Sequence, residues 1–426
     1  MDLMPVKGTR DFFPDQMRVR KWLFQVWRSV SEQAGFEEYD TCPLEHEEIY
    51  LRKAGDEISK QLYNFEDKAG RRLSLRPEMT PSLARLVLRK QKSLSFPLKW
   101  FSIPQCFRYE RMTKGRRREH FQWNADIIGE NDIVAEAEIL ILLISACESM
   151  GLSSINIRVF INDRRILNSI LNTLNVPQKL HGEILIIIDK RDKVSPDTLE
   201  KMLKEVGMDS SKVNQLNEFL SISTLEKLKD RIQNTEAIDE LEHLLKLMDN
   251  SGYGDYIQFD ISIVRGLSYY TGSVFEINSP GKHHRAICGG GRYDSLLSTY
   301  GGEIIPAVGF GFGDVVIQDV LEELKLFPKL RRKLDYMIFP FDNEHTGMAL
   351  NIAKSLRSKG FNVDCNFGMK KIKKSLQQAN ESDVKFAILI FPEELSENKV
   401  VIRDMKLREQ KIIKINDLIS LPERTR

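Results

Sequence analysis

The chain has 426 residues, more than one ordinary hydrophobic core accommodates, so two or three domains are expected. Its 42% hydrophobic and 29% charged residues are a globular composition, and 63 basic against 61 acidic side chains exclude a wholesale polycation, leaving only local patches for nucleic acid. Cys42, Cys106, Cys147, Cys288 and Cys365 include no close pair, which excludes a Cys-x-x-Cys zinc site and a disulfide framework and fits a reducing compartment.

The first eight residues lack an apolar leader core, and the longest apolar runs, 139–146 and 184–188, are too short to span a bilayer. A cytoplasmic protein with no membrane contact is expected, or an organellar one if a transit peptide has been removed. Residues 7–14 are turn-rich, and Asp15 is the expected N-cap of a first helix. There Trp22, Leu23, Val26, Trp27 and Val30 recur at helical spacing until Gly35. Residues 36–43 read as a strand that stops at Pro43, which suits an edge or an interface. The tryptophan stripe is core or half of a dimer contact.

A hairpin around Lys68-Ala69-Gly70 leads to a helix over 82–90. Between them Pro77 and Pro81 bracket Glu78 and Thr80 in a stiff, non-helical turn. That turn either presents a carboxylate and a hydroxyl to a ligand or satisfies backbone near the helix start. Residues 107–129 then read as an antiparallel hairpin. Phe121, Trp123, Ala125 and Ile127 fall on one face and His120, Gln122, Asn124 and Asp126 on the other. Phe107 and Tyr109 alternate with Arg108 and Glu110 on the outgoing side, and 112–118 form a dense basic loop. The polar face is either wet surface or a seat for a small zwitterion beside a phosphate. A helix over 134–150 and a strand over 155–160 follow, then a charged helical module from 164 to about 250.

Arg265 follows an apolar strand and precedes Gly266, so its guanidinium can enter a cleft, and Tyr269 and Tyr270 add flat surface with polar tips. Three glycines, 289–291, stand where a strand is expected to end, as a turn or as a wall against a ligand. Gly309-Phe-Gly-Phe-Gly313 with Asp314 as N-cap of a helix over 315–324 is a strand-to-helix junction, but the glycine spacing is not that of a dinucleotide site. Beyond Pro328 the alternation is βαβαβ plus a last strand pair, a compact α/β domain. Its Lys370, Lys371, Lys373 and Lys374 either grip a phosphate backbone or form a solvated face.

In order, Lys-Gly-Thr-Arg-Asp, Leu-Arg-Pro-Glu-x-Thr, Phe-Arg-Tyr-Glu-Arg, Arg-Gly-Leu-x-Tyr-Tyr-Thr-Gly and Gly-Gly-Gly-Arg-Tyr-Asp resemble the histidyl-tRNA synthetases, class II aminoacyl-tRNA synthetases, over nearly the whole chain. The resemblance implies an α+β fold. An antiparallel catalytic sheet would occupy 1–325 with a helical insertion at about 164–250, then a linker at 326–332 and an anticodon-binding α/β domain at 333–426. It implies a homodimer built on the first helix and the Pro43 strand. ATP, Mg2+, L-histidine and tRNA(His) would be its substrates and cofactors. Glu78, Thr80, Gln122 and Asp126 would hold histidine, chiefly its ammonium group, and Tyr269 and Tyr270 would line the imidazole pocket. Arg108 would bind the α-phosphate of ATP, Arg265 would stabilise charge there during attack, and Glu110 would assist magnesium.

Three positions depart from the family pattern. Val316 stands where an arginine usually reaches the γ-phosphate, so Arg116 or Arg292 is expected to serve. Ser268 replaces a common aspartate, and His120-Phe121 reverses the commoner order, leaving two candidates to stack on adenine. These features resemble a divergent branch associated with plant organelles. The alternative within the same family is a non-catalytic regulatory subunit of histidine biosynthesis, a type that generally lacks the anticodon domain.

Overall fold

The computed structural model describes residues 3–51, 60–191, 194–232, 235–265, 269–279, 286–366 and 371–424. Two compact units result, Met1–Pro328 and Lys329–Arg426. Among the described residues no helix is long and apolar enough to cross a membrane.

The first unit opens with helix α1, Pro14–Gln33, which buries Leu23, Trp27 and Val30 along one stripe and is followed by Gly35 at φ +78°. Asp15 is not its N-cap. Pro14 takes the first helical position, where its missing N–H is not needed, and the Gln16 side chain accepts the Phe13 N–H at 2.8 Å. Asp15 sits in the first turn instead, where the helix dipole favours it. Of the expected strand at 36–43 only Glu37–Glu38 (β1) pairs, parallel to Leu98–Ser102 (β5). The hairpin around Gly70 is present as Tyr63–Glu66 (β3) and Arg72–Leu75 (β4), joined by Leu44–His46 (β2) in a small sheet of order β2-β4-β3. The next helix is Thr80–Lys90, so Thr80 is helical and not part of a non-helical turn; Pro81 is tolerated because N–H groups of a first turn have no intrahelical acceptor.

The main sheet adds Gln105–Phe107 (β6), Glu119–Ile128 (β7), Arg158–Asp163 (β8), Ile257–Phe259 (β9), Ser273–Asn278 (β10), Cys288–Arg292 (β11) and Ala307–Gly313 (β12). Its order is β1-β5-β7-β12-β11-β10-β8-β9, with β6 paired to β7. Every pairing is antiparallel except β1 with β5 and β8 with β9. The outgoing arm of the hairpin ends at Phe107, earlier than the alternation suggests, because Arg108 to Arg118 form the loop. Strand β8 starts later than expected, since the Asn156 side chain closes a turn on the Ser153 N–H and hydroxyl.

Alternation along β7 sorts the two faces. Trp123, Ala125 and Ile127 enter a large core with Trp27, Phe275, Phe310, Phe312 and the buried helix Val134–Ser149. Trp27 stacks on Trp123 at 5.9 Å, and Phe310 meets Trp123 edge-on at 4.7 Å. The helices of 164–250 bury Ile166, Ile184, Leu216 and Leu244 in this same core. The other face carries a smaller core of Leu83, Val87, Ile128, Tyr269, Tyr270, Val274 and Tyr293. The three glycines lie inside β11, paired on both sides, and not at a strand end. Asp314 likewise is the first residue of helix Asp314–Glu323, with Gly313 as its cap.

The second unit has strands Tyr336–Pro340 (β13), Val363–Cys365 (β14), Phe386–Ile390 (β15), Lys399–Asp404 (β16) and Gln410–Lys414 (β17), ordered β14-β13-β15-β16-β17. The first three pair in parallel around crossover helices Thr346–Ser358 and Ile372–Glu381. Lys371, Lys373 and Lys374 are exposed, and Lys370 lies outside the described residues.

Candidate active site

The floor of the site is a patch of backbone without side chains. Gly289 and Gly291 of β11 pair with Gly311 and Gly309 of β12, on the face away from Trp123. A Cβ at Gly289 would lie 2.4 Å from Arg265 Cζ, and at Gly291 it would lie 3.0 Å from the Tyr270 ring. At Gly309 it would meet Asp126 Oδ1 at 2.0 Å, and at Gly311 Gln122 Nε2 at 1.8 Å. Four polar or aromatic side chains therefore lie where side chains of the two strands would otherwise stand.

Asp126 accepts the Tyr293 hydroxyl on Oδ1 at 2.5 Å, while its buried Oδ2 has no partner among the described residues. Burial pushes its pKa up to about 7, against the lowering effect of that hydrogen bond. Glu78 is buried too and accepts the Tyr269 hydroxyl at 3.3 Å; burial raises its pKa and Arg108 partly offsets this. Thr80 is buried beside the same hydroxyl. Tyr269 packs on Tyr270 at 4.9 Å and on Tyr293 at 5.9 Å. Gln122 accepts the Cys106 thiol at 3.9 Å, and burial pushes that thiol up to about 12, so it stays neutral.

Two guanidinium groups serve this face. Arg108 donates Nε–H to the Pro77 carbonyl at 2.8 Å, which ties it to the turn carrying Glu78. Arg265 has φ +59° and holds Glu276 through Nη1 at 2.6 Å. Burial opposes its charge, but Glu276 more than restores it, and its buried Nε has no partner among the described residues. His120 shares the face of Gln122 and Asp126; burial first, then Arg108 and Arg10, lower its pKa to about 3, so the ring is neutral. Glu110 and Arg116 pair at 2.8 Å in the loop after β6.

Two expected members stand elsewhere. Phe121 lies on the helix side of β7, edge-on to Phe24 at 5.1 Å and under the Arg20 guanidinium at 4.8 Å. Arg292 holds buried Glu136 through Nη2 at 2.5 Å and donates to the Glu130 carbonyl at 3.0 Å. Ser268 and Gly266 lie outside the described residues. The sequence reading missed Tyr293, Glu276 and Cys106 as supports, and it missed the floor. The signal for the floor was the alternate spacing of glycines in two strands that pair.

Arranged this way, the face can hold an ammonium group on buried carboxylates, a flat ring against tyrosines and an anion between two arginines. In the solved structures of histidyl-tRNA synthetase from Nostoc sp. PCC 7120 and of apo S. aureus histidyl-tRNA synthetase the same architecture recurs. The first covers 98% of this chain and 99% of its own with a TM-score of 0.80, the second 100% of both with 0.77, each at 23% identity. The fold is that of a class II aminoacyl-tRNA synthetase. A histidyl-tRNA synthetase family model matches residues 8–313, and an anticodon-binding-domain model matches 335–423. The histidine–tRNA ligase, chloroplastic/mitochondrial, of Arabidopsis thaliana is 45% identical over 98% of this chain and 86% of its own. That of Pyrococcus horikoshii is 35% identical over 97% of both chains. The chain belongs to the histidyl-tRNA synthetase family.

Proposed function

We propose that this chain is a histidine–tRNA ligase that activates L-histidine with ATP and transfers it to the 3′-terminal adenosine of tRNA(His). The observation that carries the mechanism is the buried Oδ2 of Asp126, without a partner among the described residues, on the face that also bears Glu78 and Arg265. A buried acceptor of this kind requires a donor, and an ammonium group supplies one. Ionised Asp126, with Glu78, Thr80 and Gln122, holds the histidine ammonium. The imidazole lies against Tyr269 and Tyr270, where a wrong side chain would leave polar groups unpaired.

The histidine carboxylate attacks the α-phosphorus of ATP, forming an acyl–phosphate bond as the bond to pyrophosphate breaks. Negative charge grows on the equatorial oxygens during this step. Arg108, anchored to Pro77, and Arg265, anchored to Glu276, meet that charge without reorganising. Neutral His120 is the ring for adenine. Glu110 would be the loop carboxylate that helps hold a magnesium ion carried by the nucleotide, and that ion would neutralise the pyrophosphate. In the second half-reaction a ribose hydroxyl of the terminal adenosine attacks the acyl carbon and AMP leaves, so no protein nucleophile is needed.

The second unit supports tRNA as the partner and counts against the regulatory-subunit reading. The proposal includes a homodimer built on α1 and the segment ending at Pro43, and the catalytic, linker and anticodon-binding boundaries at 1–325, 326–332 and 333–426. Histidine-dependent ATP–pyrophosphate exchange is the test. Exchange that collapses in Arg265→Ala while histidine affinity persists is expected; folded wild-type protein without exchange would overturn the reading.

A further inference from the structure

Arg265 adopts a left-handed backbone conformation that residues other than glycine seldom take, and something must hold it there. The end of β8 does so from both sides. On the near side the Asn162 amide, fully buried, donates to the carbonyls of Ile261 and Ile263 at 2.8 and 2.9 Å. The same segment is braced by the Asp260 N–H on the Ile161 carbonyl at 3.0 Å and by Ser262, whose N–H and hydroxyl reach Asp260 Oδ1 at 2.9 and 2.7 Å. On the far side Arg164, also buried, donates Nη1–H to the Tyr270 carbonyl and its backbone N–H to the Gly272 carbonyl, both at 3.0 Å.

Asn162 and Arg164 thus grip the chain before and after Arg265. Two further atoms fit this arrangement: Asn162 Oδ1, an acceptor, and Arg265 Nε, a donor, are both buried without a partner among the described residues. Arg164 is also the first residue of helix Arg164–Thr173, the root of the helical module. Next to it Arg165 pairs with Asp163 at 2.8 Å and with Glu240 of helix Glu236–Asn250.

We propose that Asn162 and Arg164 are positioning residues for Arg265, and that the root of the helical module is thereby tied mechanically to the adenylate-forming face. The proposal rests on the role given to Arg265 above. A guanidinium displaced by a fraction of an ångström still binds phosphate but meets the transition state less well, so the effect falls on kcat.

The test is a double-mutant cycle in ATP–pyrophosphate exchange on the full chain, with melting temperature read for every variant. Asn162→Ala is expected to lower kcat roughly tenfold to a hundredfold with the histidine KM within about threefold. In an Arg265→Ala background the same change is expected to move kcat less than about threefold, because the group it positions is gone. Arg164→Ala, which keeps the backbone bond to Gly272, is the second arm and carries the test alone if Asn162→Ala does not fold. Arg164→Lys, which retains a donor for the Tyr270 carbonyl, should recover part of kcat. A full multiplicative loss in the Arg265→Ala background, or unchanged kcat in folded single variants, overturns the positioning role. Wild-type protein without exchange would instead overturn the ligase reading itself.

Discussion

Gly289→Ala is the sharpest probe of the glycine floor. The added methyl would sit 2.4 Å from Arg265 Cζ and Nη1 and 2.9 Å from Nη2, whereas ordinary contact begins at 3.4 Å. The obstructing atoms are the far end of a flexible side chain, so the strand stays and the guanidinium retreats by about 1 Å. That lengthens the 2.6 Å contact with Glu276 beyond hydrogen-bonding range. Misplacement on this scale costs up to about a hundredfold in rate, so a kcat loss of tenfold to a hundredfold is expected, about 1.4 to 2.7 kcal/mol in the barrier. Folding should not suffer, because alanine is about 0.5–1 kcal/mol better than glycine inside a strand. Pyrophosphate exchange gives kcat, and a thermal melt gives stability. Gly313→Ala is the control, since a Cβ there meets nothing within 4 Å. A Gly289→Ala protein that melts normally and keeps kcat within about threefold would refute the claim that the bare strand exists to seat Arg265.

Gly311→Ala displaces Gln122, whose Nε2 would lie 1.8 Å from the new methyl, and should raise the histidine KM more than it lowers kcat in the same assay. Arg292→Ala leaves Glu136 buried with the Ser273 hydroxyl but without its counter-charge, so it should cost about 3–5 kcal/mol in denaturant unfolding with the ATP KM of the folded protein unchanged. Arg116→Ala should raise the ATP KM with a smaller stability loss than Arg292→Ala, since the Arg116 side chain is 46% exposed although that of Glu110 is 9% exposed. Asp126 has its folded pKa raised to about 7, so the stability it contributes is full below the ordinary carboxylate range and is lost as pH rises through 7. Asp126→Asn should therefore melt above wild type at pH 8 with the gap closing by pH 5, while the wild-type preference for histidine over that variant grows through the same window.

Patterns that depend on burial alone were legible. The Trp22–Val30 stripe and the alternation of β7 follow from a helix or strand laying one face on a core, and sequence spacing records that directly. The same alternation already separated Phe121 from His120; it was the family resemblance that kept both as nucleotide residues. Partnerships were not legible, because they depend on tertiary neighbours. Nothing local in Gly-Gly-Gly-Arg-Tyr-Asp announces that Arg292 will meet a carboxylate 156 positions earlier. Nor does Asp15 reveal that Pro14 and Gln16 cap the helix without it. The glycines of β11 were misplaced for a related reason: in one strand a glycine run reads as a turn, and only its pairing with the alternate glycines of β12 turns it into a floor.

The missing third-motif arginine belongs to the same logic of partners. Val316 packs against the large core, so nothing from that position reaches the polar face. Asp314, two residues earlier, is buried; it accepts the Phe121 N–H at 2.9 Å and holds Arg10 at 3.0 Å. Arg10 also pairs with buried Glu119 at 2.6 Å. One N-terminal arginine therefore joins the first residue of β7 to the first residue of the helix after β12, elements that flank the polar face. Two carboxylates hold Arg10, which ties its guanidinium to these two elements. Arg292 is excluded by its own buried partner on the opposite face. We propose the β6–β7 loop as the source of the cation, and within it Arg116, whose ion-pair partner Glu110 would turn to a magnesium ion when nucleotide enters.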